Sequence, residues 1–168
     1  RAAKLKATEL VVTPERVVRE RVATDPPSEK VLTIDLEGEL FFGAAPDLER
    51  HLEDAAARAA RQDIRHLVLR VKRVRNPDVV AIEVLEKFLQ ESAKRGLTVL
   101  LAGVRPDLLA AIRRVGIPLY LPDALIFPEE DEDYSATLKA IRKAYALRAA
   151  QDSADGVEIP AGGAYYLV

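Results

Sequence analysis

The stretch RHLVLRVKRVRNPDVVAIEVLEKFL, residues 65–89, decides how the chain is read. HLVLRV (66–71) is an apolar run of strand length, and Ile82, Leu85 and Leu89 then recur at helical spacing. At the junction, Asn76 is a good N-cap, Pro77 suits the first helical position and Asp78 puts a carboxylate in the first turn. The helix predicted from Pro77 runs to about Arg95, where Gly96 stops it. LTVLLAG (97–103) follows, nearly continuous in apolar residues, as expected of a central strand covered on both faces. A strand, a helix and a second buried strand make a right-handed βαβ crossover. The first-turn residues Val79 and Val80 can neither accept a phosphate nor hydrogen-bond a ligand through their side chains.

Outward from this unit the pattern repeats. PDLERHLEDAAARAARQ (46–62) is a helix with Leu48, Leu52, Ala55, Ala56 and Ala59 on one face. VLTIDL (31–36) and ELFF (39–42) read as two strands around Glu37-Gly38, a tight hairpin. PDLLAAIRRVG (106–116) is a short helix, LIF (125–127) a short strand, and Tyr134, Leu138, Ile141 and Tyr145 mark a last helix. Before the hairpin, RVVRERV (16–22) is an edge strand and ATDPPSEK (23–30) a loop. Residues 1–15 are a basic lead and a short apolar patch, and residues 151–168 have loop composition with an apolar end. The expected fold is a single α/β domain. It has a mixed sheet of four to six strands, an N-terminal hairpin and about four α-helices.

Composition narrows the function. With 25 Lys+Arg against 27 Asp+Glu, no global field favours nucleic acid. Without cysteine there is no disulfide, thiolate nucleophile or thiolate metal site. No apolar run reaches the roughly 18–20 residues that span a bilayer. A chain that begins at Arg1 and contains no methionine is expected to be a piece of a longer product.

Candidate chemistry is sparse. His51 and His66 have no partner at metal or triad spacing, and EEDED (129–133) lacks the glycine and twelfth-position carboxylate of a calcium loop. Its charge suits the start of the last helix. Phosphate-loop and nucleophile-elbow motifs are missing, so neither catalysis, metal nor cofactor is expected. Arg70, Lys72, Arg73 and Arg75 form a basic cluster ahead of the Asn76 helix start. They read either as a solvated strand end and loop or, with Arg105, as contacts for an anion or nucleotide at a helix N-terminus.

Taken together, VLTIDLEGELFFGAAPDLERHL (31–52), RHLVLRVKRVRNPDVVAIEVLEKFL (65–89) and RGLTVLLAGVRPDLLAAIRRVGI (95–117) resemble a STAS domain. The closer likeness is to the C-terminal cytoplasmic STAS domain of SulP-type anion transporters. On the family's Asp-Ser-Thr/Ser-Gly motif, Asp78 matches the aspartate, while Val79, Val80 and Ala81 replace the hydroxyl residues and the glycine. Val80 stands where antagonists of anti-sigma factors are phosphorylated. The resemblance therefore implies a non-enzymatic regulatory and assembly domain of a sulfate, bicarbonate or related anion transporter, on the cytoplasmic side of the membrane. Its partners are then the membrane domain and the second subunit of a homodimer, with no nucleic acid and no stable small-molecule ligand. Residues 1–30 become a juxtamembrane lead with an edge strand, 31–150 the domain and 151–168 a tail. Asn76, Pro77, Asp78, Val79 and Val80 become a partner-binding loop. Alternatives are a free-standing antagonist-like signalling module and a nucleotide or phosphate sensor using Arg73, Arg75 or Arg105.

Overall fold

In a computed structural model, which describes residues 4–40, 43–117 and 120–157, six strands form one sheet. They are β1 Lys6–Val12, β2 Val18–Glu20, β3 Val31–Glu39, β4 His66–Arg75, β5 Thr98–Val104 and β6 Ile126–Pro128. The helices are α1 Ala45–Arg61, α2 Val79–Lys94, α3 Pro106–Arg114 and α4 Ser135–Ala154. The sheet order is β2-β1-β3-β4-β5-β6. β1 runs antiparallel to β2 and β3, whereas β3 to β6 are mutually parallel. The parallel half follows from its helical crossovers, since parallel neighbours cannot be joined by a tight turn.

Strand alternation sorts the core into two layers. Leu32, Ile34 and Leu36 of β3, Leu67 and Leu69 of β4, and Val99 and Leu101 of β5 meet Leu48 and Leu52 of α1, Ile82 and Leu85 of α2, and Leu108 and Ile112 of α3. On the other face Val31, Val68, Leu100 and Ala102 meet Ala140, Ile141, Ala144 and Tyr145 of α4. Each fully buried Leu or Ile contributes about 1.5–3 kcal/mol by leaving water.

Several sequence expectations need correction. Residues 31–42 do not form a hairpin: Val31–Glu39 is one strand, parallel to β4 from Val31 opposite His66 to Glu39 opposite Arg75. Glu37-Gly38 reads as a turn by composition, but Gly38 (φ +143°) instead sits where Leu5 crosses, and a Cβ there would lie 2.7 Å from the Leu5 side chain. Phe41 and Phe42 lie outside the described residues. The N-terminal antiparallel pair is made by β1 and β2, and β1 comes from the patch behind the basic lead. β5 is interior and buried but not central, because only the three-residue β6 lies beyond it. α4 continues to Ala154, so the residues from Gln151 to Ala154 are helical instead of loop.

Two bulges shape the C-terminal ends of the parallel strands. β4 carries an extra residue opposite the step from Asp35 to Glu37, and β5 one between Ala102 and Val104. In β5 the inserted residue is Gly103 (φ +73°), and a Cβ there would meet Lys72 Cβ at 3.0 Å. Bulges of this kind re-aim the side chains that follow them.

Candidate functional site

The loop between β4 and α2 is held by backbone bonds. Leu40 N–H donates to the Arg75 carbonyl at 2.7 Å, and Asp78 N–H donates to the Leu40 carbonyl at 2.6 Å. Asn76 takes the left-handed conformation (φ +49°), which asparagine tolerates better than most residues. The N-cap is therefore Asp78, not Asn76. Its carboxylate accepts the Ala81 N–H at 2.8 Å, and the helix begins at Val79 with Pro77 outside it. An aspartate two residues after a left-handed Asn serves as cap where the sequence alone favoured the first capping residue.

This start turns Ala81, Ile82, Leu85 and Leu89 inward and leaves Val79 64% and Val80 51% exposed. Val84 and Phe88, half-buried, continue the line from Val80 at intervals of four residues, so the three lie on one helix face. Val84 and Phe88 also line a shallow groove between α1 and α2. Leu52 and Ala56 complete its floor, and Glu49, Glu53, Lys87, Glu91 and Arg95 rim it. The sequence signal for this extension was present in the spacing of Val80, Val84 and Phe88, but inward-facing residues dominated the helix reading.

The basic cluster is largely neutralised inside the fold. Arg70 is fully buried, so it is neither a solvated strand end nor part of a surface patch. Its Nη1 donates to Asp35 Oδ1 at 2.9 Å, and its Nη2 donates to the Asp133 carbonyl and Oδ1 at 3.2 and 3.1 Å. The guanidinium also lies 4.5 Å from the Tyr134 ring centroid, a cation–π distance. Burial pushes the Asp35 carboxyl above its usual range, with Arg70 opposing. Lys72 Nζ reaches Asp133 Oδ1 at 2.6 Å and Glu129 Oε2 at 2.8 Å. The hydrogen bond from Lys72 holds the Asp133 carboxyl below its usual range. EEDED thus serves strand cations as well as the start of α4.

Arg73 pairs with Glu37 at 3.3 Å, and Arg105 Nε donates to the Lys72 carbonyl at 2.9 Å. Arg75 and Arg105 line a shallow open depression with Asn76, but Asp107, Glu129, Glu130 and Asp131 line it too. Carboxylates outnumber cations there, which disfavours an anion. The structure brings Arg75, Asn76 and Arg105 together and leaves Arg73 on the Glu37 side. Among the described residues no three His, Asp or Glu side chains are grouped to hold a metal ion.

The histidines are structural. His51 Nε2 lies 2.9 Å from the Leu5 carbonyl, tying α1 to the lead. His66 is buried at the start of β4, and burial, reinforced by Arg148 and Arg65, lowers its pKa to about 4.

Residues 23–132 match the STAS domain family. No curated protein matches the chain in sequence. Among solved structures, the chain is similar to the murine Solute Carrier 26 family member A9 anion transporter in the inward-facing state. The TM-score is 0.66 at 16% identity over 83% of this chain and 22% of the transporter. A second SLC26A9 structure gives a TM-score of 0.63 at 16% identity, covering 89% of this chain and 26% of that one. A sulfate transporter family protein from Wolinella succinogenes gives 0.54 at 28% identity, over 70% of this chain and 86% of that chain. The chain thus spans about a quarter of the length of the SLC26A9 transporters it matches. Among the described residues no helix is long and apolar enough to cross a membrane.

Proposed function

Because the chain belongs to the STAS domain family, we propose that it is the non-enzymatic regulatory and assembly domain of a SulP-like secondary anion transporter. It acts from the cytoplasmic side through contacts with the membrane domain and with the second subunit of a homodimer. The working body is residues 31–150 together with β1 and β2, which complete its sheet, and the last turn of α4 to Ala154; the basic lead ahead of β1 joins it to the membrane domain. The fold-level likeness to anion transporters supports this reading.

One observation carries it: Val79 and Val80 are both exposed at the start of α2. Solvated helix starts favour polar residues, and valine is a poor helix former, so an exposed pair stabilises little in the isolated domain. Val80 stands in line with Val84 and Phe88, which line a groove with a charged rim, and this combination has the composition of a protein interface. Asn76, Pro77 and Asp78 fix the angle at which the pair is presented. The antagonist-type phosphorylation switch is disfavoured, because residues 76–82 contain no hydroxyl side chain.

The test replaces Val79 and Val80 together with serine in the full-length protein. Folding of the isolated domain is expected to stay within about 0.5 kcal/mol, as for surface changes generally, while anion transport or dimerisation changes. Lost stability with unchanged transport per folded molecule counts against the interface. No change in either leaves the pair without the role assigned to it.

A further inference from the structure

The groove between α1 and α2 carries its charges unevenly. α1 lines it with Glu49 and Glu53 and no cation, whereas α2 lines it with Lys87 and Arg95 beside Glu91. Among the described residues only Glu91 of these five is in an ion pair, with Lys94 at 3.7 Å. Elsewhere the chain matches such charges internally: Arg58 pairs with Glu9, Lys72 with Glu129 and Lys139 with Glu130. The four unmatched charges flank an apolar floor of Leu52, Ala56, Val84 and Phe88 in a groove of ≈ 260 Å³. Two helices running the same way with an apolar seam between them make one half of a helical bundle.

We propose that this face binds the same face of a second copy of the chain, about a two-fold axis that runs along the groove. The inference rests on the reading of the α2 surface as an interface and names its partner. Such an axis lays α1 of each copy on α2 of the other, and the two apolar floors become the core of a four-helix layer. Glu53 and Lys87 stand on corresponding turns of their helices, so Glu53 of each copy meets Lys87 of the other. In a contact of this symmetry every pair occurs twice. Other occupants fit less well. A basic helix in the groove meets Lys87 and Arg95, an acidic one meets Glu49 and Glu53, and an uncharged one leaves all four without partners. A copy of the same face, turned about this axis, presents each rim with its opposite. Helices about 24 Å long and about 10 Å apart offer roughly 500 Å² per copy. The pair then buries about 1,000 Å², the lower bound for a specific interface, so the dimer is weak and concentration-dependent.

Charge reversal tests the pairing without touching the core, since Glu53 and Lys87 are both exposed. Sedimentation of the 168-residue chain from micromolar to millimolar concentration is expected to show a monomer–dimer equilibrium. Glu53→Lys and Lys87→Glu should each weaken it by about tenfold or more, because like charges then face each other twice. An equimolar mixture of the two variants should dimerise again, as both contacts of the mixed pair join opposite charges. A chain that stays monomeric throughout overturns the proposal. So does a dimer that either variant leaves intact, or one that the mixture fails to restore. These failures are distinct from failure of the α2 reading. A photo-reactive side chain at Val80 of the full-length protein that joins the membrane domain alone removes the second copy and keeps the α2 surface, whereas no adduct at all removes both.

Discussion

The two faces of the β-sheet are built on different principles. Under α1, α2 and α3 the interface is apolar apart from Ser92 of α2, with Leu32, Leu52, Leu67, Leu69, Ile82 and Ile112 all essentially inaccessible. Under α4 a smaller apolar patch around Val68, Leu100 and Ala144 lies between two polar clusters built on the buried Arg70 with Asp35 and on the buried His66 and Arg148 with Asp152. Arg70, Asp35, Asp133 and Tyr134 hold the C-terminal end of the strands. His66, Arg148 and Asp152 hold the other, where Arg148 Nε donates to Asp152 Oδ1 at 3.0 Å. One face gains its stability from area, whereas the other depends on each buried charge keeping its partner.

The contrast is broken most strongly at Arg70. Arg70→Ala strands Asp35 and is expected to cost about 3–5 kcal/mol in urea unfolding, while Arg70→Met combined with Asp35→Leu recovers most of that loss. On the apolar face Leu69→Ala costs about 2–5 kcal/mol, and no second substitution of one neighbour restores it, because the deficit is a cavity. Recovery at Leu69, or failure of the paired change at Arg70, would erase the distinction.

A second effect follows pH. Folded His66 has its pKa near 4 against an ordinary 6.5, so between these values the unfolded chain binds more protons. Stability is then fully present above about 6.5 and declines by at most about 1.4 kcal/mol per pH unit as pH falls towards 4. Lys30, Arg65, Arg148, Asp63, Asp152 and Asp155 surround this end, and His66→Asn should flatten the slope while leaving the others in place. An unchanged slope assigns the pH dependence to the carboxylates.

The smallest expected effect lies at the loop. Asp78→Ala removes the cap on Ala81 N–H and costs about 0.5–2 kcal/mol, whereas Asn76→Ala touches no cap bond. Asn76→Gly, which relieves the left-handed backbone, should be neutral or stabilising. Thermal unfolding of the three variants distinguishes a cap at Asp78 from one at Asn76.

Legibility in the sequence followed the same division. The α1–α3 face was readable because its information is periodic: Leu48 with Leu52, or Ile82 with Leu85 and Leu89, announce their own direction. The α4 face was not, because Arg70 looks like any strand-end cation until Asp35 and Asp133 are brought to it from 35 and 63 residues away. Gly38 misled for a related reason. Its composition signals a turn, but its conformation serves the passage of Leu5, and only the tertiary structure supplies that contact. At the candidate site the exposed valines were legible as an anomaly. Their alignment with Val84 and Phe88 over the α1–α2 groove needed the packed helices.

The central claim is that the exposed start of α2 meets the rest of a transporter. The direct measurement places a photo-reactive side chain at Val80 in the full-length protein, with the exposed Ala150 of α4 as control. Irradiation is expected to join position 80, and not position 150, to the membrane domain or the second subunit. Equal yields at both positions, or no adduct at position 80 in a protein that transports normally, would contradict the claim.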